Sequence, residues 1–240
     1  MKNHLNKSNE KVILLEKQHI VVSYPHPDDE SFGASGVIYE ANQTGVPVTY
    51  LCGTLGEMGR NMGTPPIANR ESLAEIRREE LKEACEYLGI NYQLLGYRDK
   101  AMEFENKTKM AEHIKSILEE IEPSVVITHY PGYGVHPDHN AQGAATIEAV
   151  RLMDKDKRPV VWASAITHDF VDVLGEPDVV IDANKNFDFK LNAILKHRSQ
   201  AEAMLKRMEA DEEFQTTYTK ELKDRLGLER FYIWDFEGDN

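Results

Sequence analysis

The chain has 240 residues, of which 41% are hydrophobic and 29% are charged, an ordinary composition for a folded globular protein. Its formal net charge of -13 argues against nucleic acid or an anionic membrane as partner, because phosphate binding needs clustered lysine and arginine. No stretch approaches the roughly 20 apolar residues that span a bilayer, and residues 1–18 carry no signal-peptide core. The expected location is therefore cytoplasmic.

Apolar β-branched runs alternate with amphipathic helical patterns along the chain. They predict strands near residues 19–24, 47–52, 91–97, 124–130 and 160–166, and helices near 31–43, 70–88, 107–121 and 138–153. Beyond these we expect a short strand at 179–181, helices at 188–208 and 212–226, and a strand at 231–236. The alternation indicates an α/β class, a Rossmann-like three-layer α/β/α fold with a mostly parallel sheet.

A single domain over residues 1–240 is expected, because no linker, repeat or low-complexity tract interrupts the pattern. Cys52 and Cys85 lack the spacing of a thiolate metal site, so both are interpreted as buried, reduced thiols. The segment 231–236 could add an edge strand to the sheet or mediate association, and a homo-oligomer is possible. The longest irregular segment, 53–69, is rich in glycine and proline and is typical of a binding loop.

Two clusters of histidine and acidic residues follow the first and fourth predicted strands. The first is "HPDDE" at 26–30, and the second is "HPDH" at 136–139. In a doubly wound sheet of order 3-2-1-4-5 these two strands are neighbours, and ligands bind in the crevice beyond their carboxyl ends. The clusters are therefore predicted to face each other there.

The residue types in these clusters favour a cation over a nucleotide. Asp28, Asp29 and Glu30 at a helix N-terminus would repel a pyrophosphate, whereas imidazoles with a carboxylate suit zinc. Three protein ligands with one open position are typical of a catalytic site. An alternative interpretation is that the two aspartates only cap a helix and that His136 and His139 are surface residues.

Five motifs in this order resemble the LmbE-like, or PIG-L, family of zinc-dependent N-acetylglucosaminyl deacetylases. Besides the two clusters they are "RREELKEACEYLG" at 77–89, "YRDKAM" at 97–102 and "HRSQ" at 197–200. The resemblance runs from about residue 19 to about 202. It leaves a segment of about 1–18 and the segment 203–240 uncovered.

The resemblance implies one Zn²⁺ per chain, bound by His26, Asp29 and His139, although another divalent metal such as Fe²⁺ is possible. It also implies catalytic roles for three residues at the same two clusters. Asp28 would be the general base, His136 its electrostatic or acid partner in protonated form, and Asp138 the group that orients an imidazole.

Candidate substrate-binding residues are carried over from the same resemblance. Arg77 and Asp99 match positions that contact the sugar or its appendage in relatives, and Glu57 lies in the long loop. Relatives often have a tyrosine two residues before the "HPDH" histidine. Here Gly134 occupies that offset, and the candidate Tyr133 lies one residue further back.

The segments "YPHPDDESFG" and "TLGEMGRNMGTPP" are similar to deacetylases of bacillithiol biosynthesis, which act on N-acetylglucosaminyl malate. Such a small-molecule substrate carries two carboxylates, which arginines bind bidentately. The candidates are Arg60, Arg70, Arg77 and Arg98. The alternatives are a same-family amidase for a thiol conjugate or a chitobiose-like sugar, and a non-catalytic nucleotide-binding module.

Overall fold

The computed structural model describes residues 19–63, 65–201 and 212–237, with the side chains of 212–217 left out. Its strands are β1 (Ile20–Tyr24), β2 (Val48–Cys52), β3 (Asn91–Leu94), β4 (Val125–His129), β5 (Val160–Ser164), β6 (Val179–Asp182) and β7 (Leu228–Ile233). They form one sheet of order β3-β2-β1-β4-β5-β7-β6, in which β1 to β5 are parallel. The predicted order 3-2-1-4-5 is confirmed.

Helices lie on both faces of the sheet, as the three-layer prediction requires. Within the described ranges they are α1 (Asp29–Gly33), α2 (Ser35–Thr44), α3 (Leu73–Leu88), α4 (Lys107–Ile121), α5 (Pro137–Arg151), α6 (Phe170–Leu174), α7 (Phe187–Lys196) and α8 (Glu212–Leu226). One buried cluster joins α2, α3 and α7 to strand residues such as Val22 and Tyr50. A second joins α4 and α5 to Val21 and Leu51. These residues are next to Val22 and Tyr50 in sequence, so their side chains point to the other face of the sheet.

The helix predicted near 31–43 is in fact two helices, α1 and α2, separated at Ala34, which has a non-helical φ of -141°. Two distant side chains bind the backbone groups freed by this break. The Lys190 ammonium donates to Phe32 O at the end of α1 (2.7 Å), and the Glu229 carboxylate accepts from the first backbone N–H groups of α2. The prediction was wrong because these partners lie far away in sequence.

The C-terminal strand is not an edge strand, contrary to one of the two roles considered for it. β7 runs antiparallel between β5 and β6, with Trp162 opposite Ile233 and Val179 opposite Phe231. It also begins three residues earlier than predicted. As a result, its first residues lie at the edge of the sheet where the parallel strands end.

Other expectations concern segments away from the site. α7 ends at Lys196, short of the predicted 188–208 helix; residues 198–201 are helical again, and the remainder lies outside the described residues. Cys52 and Cys85 are buried and free, as expected. In the described part of the chain, no helix has the length and apolarity that a membrane span requires.

Candidate metal centre and active site

The segments after β1 and β4 meet at the carboxyl edge of the sheet. The two strands pair directly, with Ser23 opposite Thr128, so the loops that follow them are neighbours. His26 Nδ1 lies 3.2 Å from His139 Nε2, although 113 residues separate them. The predicted meeting of the two clusters is therefore observed.

Three side chains direct donor atoms at one point between these segments. The Asp29 carboxylate lies 3.5 Å from His26 Nδ1 and 3.4 Å from His139 Nε2, and the ligand atoms of the three residues lie within 4.8 Å of one another. Tetrahedral zinc with bonds of about 2.0–2.1 Å separates its donors by about 3.3–3.4 Å. The observed spacing fits such an ion.

The protonation of both imidazoles follows from their other partners. His139 Nδ1 lies 2.7 Å from Gly134 O, and a carbonyl only accepts, so Nδ1 carries the proton and Nε2 presents a lone pair. His26 Nε2 lies 3.3 Å from both Asp138 Oδ2 and Asp99 Oδ1, so this nitrogen is the donor and Nδ1 faces the cluster. Two lone pairs and a carboxylate then face one another, an arrangement that a cation stabilises.

The pKa shifts of His26 and Asp29 also indicate that positive charge is favoured between these groups. Burial alone would lower the pKa of His26, but the carboxylates of Asp138, Asp29 and Asp99 raise it well above its usual value. Burial would likewise raise the pKa of Asp29, yet the two imidazoles hold it well below its usual range. A bound divalent cation would supply the charge that these groups favour.

Asp138 and Asp99 hold the His26 ring from one side. Asp138 is fully buried and also accepts from the backbone N–H groups of Lys100 (2.7 Å) and Met102 (3.2 Å). Asp99 accepts from Met58 N at 2.8 Å. The structure thus places Asp138 where the sequence analysis expected an imidazole-orienting group. It places Asp99 against the same ring, and its contact with a sugar stays a prediction.

Asp28 lies beside the donor cluster in a strained conformation. Its φ of 101° is positive, which is rare for a residue with a side chain. Its Oδ2 accepts from Arg77 Nη2 at 3.1 Å. Burial raises the pKa of Asp28 to about 6, although the Arg77 guanidinium opposes this shift. A carboxylate with such a pKa can exchange a proton near neutral pH.

Arg77 lies underneath the site rather than in open solvent. It is buried, and it donates to the carbonyls of Gly56 (3.1 Å) and Pro27 as well as to Asp28. Gly56 has a φ of +62°, and a Cβ there would lie 1.8 Å from Arg77 Nη1, so this close approach needs glycine. Arg77 therefore joins the two loops that follow β1 and β2, and its role in substrate binding stays a prediction.

His136 caps the helix that carries His139. Its Nδ1 accepts from Asp138 N at 3.1 Å, so the neutral ring carries its proton on Nε2. The ring lies 4.9 Å from the His26 ring, edge to face. Burial and the neighbouring His26 charge lower the pKa of His136. The neutral ring thus presents Nε2–H as a donor, and the acid role in protonated form that the sequence analysis expected of His136 stays a prediction.

The two remaining candidates lie in the loops around the site. Glu57 is half-buried and accepts from Asp99 N at 3.0 Å, which links the long loop to the loop after β3. Tyr133 is also half-buried, and its ring lies edge to face against Tyr130. Neither contact tests substrate binding, so both assignments stay predictions.

Two buried residues support Asp28 and were not among the candidate catalytic residues of the sequence analysis. Glu30 accepts from Asp28 N (3.0 Å) and from Ser31 Oγ, and its other partner is His197 Nε2 at 2.7 Å. Both Glu30 and His197 are inaccessible to solvent. His197 belongs to the "HRSQ" motif, and this motif was the feature of the sequence that could have indicated its role. His129, which ends β4, stacks on His139 with ring centroids 4.0 Å apart.

Comparisons with known proteins agree with this fold and identify a family. The family model "PIG-L: GlcNAc-PI de-N-acetylase" matches residues 21–150, more than half of the 240 residues. A Bacillus cereus protein named probable N-acetyl-alpha-D-glucosaminyl L-malate deacetylase 2 is 49% identical over 222 residues, covering 92% of this chain and 100% of that protein. A Bacillus subtilis protein of the same name is 48% identical over 194 residues, covering 80% and 88%.

A solved structure extends the likeness of fold across the chain. N,N'-diacetylchitobiose deacetylase from Pyrococcus horikoshii superposes with a TM-score of 0.69 at 24% identity, covering 91% of this chain and 84% of that one. The fold and the His₂Asp cluster define a class of α/β proteins with a candidate metal site at the carboxyl edge of the sheet. Within that class, the chain belongs to the PIG-L family.

Proposed function

We propose that this chain is a zinc-dependent deacetylase that removes the N-acetyl group from N-acetylglucosaminyl malate, as in bacillithiol biosynthesis. The observation that carries the proposal is the convergence of His26, Asp29 and His139 beside a carboxylate, Asp28, whose pKa is about 6. The two Bacillus relatives named above support the choice of substrate. We also propose that residues 1–240 form a single deacetylase domain.

The three donors fit zinc by type as well as by spacing. Neutral imidazole nitrogens and a carboxylate oxygen are common zinc ligands, and three protein ligands leave one position for water or substrate. When bound, the ion would polarise the acetamide carbonyl and lower the pKa of a water molecule. The remaining chemistry belongs to side chains of the chain itself.

Asp28 is proposed as the general base. Arg77 Nη2 engages its Oδ2, and no group among the described residues is hydrogen-bonded to Oδ1, which is left to accept a proton from the attacking water. The water oxygen bonds to the acetamide carbon, and the C–N bond then breaks. The proton taken by Asp28 is available to the leaving nitrogen, so the products are acetate and the free amine.

His136 is proposed to stabilise the negative charge that develops on the carbonyl oxygen. Because Nδ1 already accepts from Asp138 N, its Nε2–H is the available donor. Asp138 and Asp99 keep His26 in the orientation that presents Nδ1. The hydrogen bonds of the fold therefore determine which nitrogen of His136 and of His26 is available at the site.

A nucleotide-binding module is the rival from a different class. The carboxylates of Asp28, Asp29 and Glu30 lie where a phosphate-binding loop would present bare backbone amides. Such a module would bind nucleotide without retaining metal. The metal content of the protein therefore distinguishes the two functions.

The first experiment measures metal by plasma mass spectrometry on protein purified without chelator, together with acetate release from N-acetylglucosaminyl malate. We expect one zinc per chain and acetate release. His26→Ala and His139→Ala should lose both, whereas Asp28→Ala should keep the metal and lose at least about 100-fold in kcat. His19→Ala is the matched control, because this histidine contacts Thr49 at the opposite edge of the sheet.

Two results would contradict the proposal. Absence of metal and of activity after zinc is added would mean that the three donors do not form a metal site. Near-normal turnover of Asp28→Ala would overturn the assignment of the base. Metal without acetate release would redirect the search to diacetylchitobiose and to other N-acetyl sugars or conjugates.

A further inference from the structure

A cavity of about 300 Å³ opens beside the metal-ligand candidate Asp29. It lies at the carboxyl edge of the sheet, next to the end of β5 and the start of β7. Asp29 and His129, which contact the proposed metal centre or its ligands, line it together with Phe170. The end of α8 and the start of β7 contribute Arg225 and Arg230. This volume is at the lower end of the range for small-molecule sites.

The charges around the cavity do not compensate one another internally. Glu229 also lines it, but its carboxylate is bound to the Lys190 ammonium at 2.8 Å and to two backbone N–H groups. The Asp29 carboxylate faces His26 and His139. Arg225 and Arg230, by contrast, form no ion pair within the described ranges.

Neither guanidinium has an acidic partner among the described residues, although the chain is acidic. Aspartate and glutamate outnumber lysine and arginine by 41 to 28, so carboxylates are abundant on its surface. A guanidinium binds a carboxylate through two parallel hydrogen bonds. Two of them around one cavity therefore present a site for a ligand with two carboxylates.

We propose that Arg225 and Arg230 bind the dicarboxylic-acid part of the substrate, while the N-acetyl group lies at the His26–Asp29–His139 cluster. This inference rests on the proposed function and assigns the part of the site that selects the aglycone. Asp29 belongs to both the cavity wall and the metal-ligand cluster, so one small substrate can reach both.

The arginines considered from the sequence lie elsewhere. Arg77 is buried under Asp28, and Arg70 donates to Gly59 O at 3.2 Å within the long loop. Arg60 and Arg98 are exposed in the loops after β2 and β3, on the other side of β1 from the cavity. None of the four lines this cavity.

The test compares two substrates on zinc-loaded protein: N-acetylglucosaminyl malate and the uncharged methyl glycoside of N-acetylglucosamine. We expect Arg225→Ala and Arg230→Ala each to lower kcat/KM for the malate glycoside about tenfold, and to leave the methyl glycoside within about twofold. Arg225→Lys should recover part of the loss, because it keeps the charge without the planar fork. Arg151→Ala, about 20 Å from His136 at the other end of α5, is the control.

A second measurement does not depend on turnover. Calorimetric titration of L-malate should show binding to the wild type and at least tenfold weaker binding to the Arg225→Ala/Arg230→Ala double variant. Malate binding that depends on the arginines, in a protein that releases no acetate, would support this site and refute the proposed function.

Three results would overturn the inference alone. They are normal acetate release with unchanged selectivity in the arginine variants, an equal fall for both glycosides, and malate binding that the double variant retains. An equal fall would show that the arginines support the fold rather than the aglycone.

Discussion

Replacement of Asp28 by asparagine should stabilise the metal-free protein while it removes the proposed base. The side chain of Asp28 is 18% exposed, and burial raises the pKa of its carboxyl from 3.8 to about 6, with Arg77 opposing. A carboxyl whose pKa is higher in the folded state binds its proton more tightly there. Its contribution to stability is therefore present below pH 3.8 and is lost as the pH rises to about 6.

The size of this effect follows from the shift. About two pKa units at about 1.4 kcal/mol per unit give about 3 kcal/mol, which is the cost to the fold of ionising Asp28 above pH 6. An asparagine is always neutral and avoids this cost. The free energy of unfolding of Asp28→Asn should therefore exceed that of the wild type by up to about 3 kcal/mol at pH 8. Near pH 4 the two should be similar.

The assay is urea denaturation of chelator-treated protein at pH 4, 6 and 8, with the midpoint and slope compared between the wild type and Asp28→Asn. Asp156→Asn, on an exposed turn far from the site, is the control and should show no such trend. A difference that does not grow between pH 4 and pH 8 would refute the reasoning. A difference that grows with pH would show that the Asp28 carboxylate, the proposed base, lowers the stability of the metal-free protein.

Three further predictions concern the buried framework of the site. Glu229→Ala should cost about 3–5 kcal/mol, because the buried Lys190 ammonium would keep only the Phe32 carbonyl as partner. Lys190→Met should cost less, because the Glu229 carboxylate would keep two backbone N–H donors; urea midpoints in the reverse order would contradict this. Gly143→Ala would place a Cβ 2.3 Å from the carbonyl oxygen of His129 and push α5 off β4, so we expect about 1–3 kcal/mol of destabilisation and weaker zinc binding; an unchanged thermal midpoint would count against it. Burial lowers the pKa of His197, but the buried carboxylate 2.7 Å away raises it above 6.5, so the charged ring stabilises the fold below that pH and less as the pH rises; His197→Ala should lose more stability at pH 6 than at pH 9, and equal losses would exclude this contribution.

The parts of the fold that could be predicted from the sequence are those encoded by neighbouring residues. The runs at Ile20–Tyr24 and Val125–His129 are continuous and apolar, and they identify buried parallel strands. Once they are placed side by side, the clusters that follow them must meet. The positions of His26 and His139 therefore followed from local patterns and one rule of topology.

The features that were missed depend on contacts between distant residues. The break at Ala34 needs Lys190 and Glu229, which lie more than 150 residues further along the chain. The hydrophobic periodicity of the sequence does not indicate contacts between residues so far apart. The orientation of Asp99 toward His26 likewise depends on how the loop after β3 folds over the site.

The position of β7 has a consequence for how the protein is made. β7 is synthesised after all the other described strands, yet it lies between β5 and β6 and pairs with both. β6 is therefore synthesised before its neighbour in the sheet, and its pairing must wait for β7. The sheet is continuous only once β7 pairs with both neighbours, and Glu229, at the start of β7, then binds the backbone N–H groups of Gly36 and Val37 in α2. The wall of the cavity that contains Glu229 and Arg230 therefore forms only after β7 has been inserted between β5 and β6.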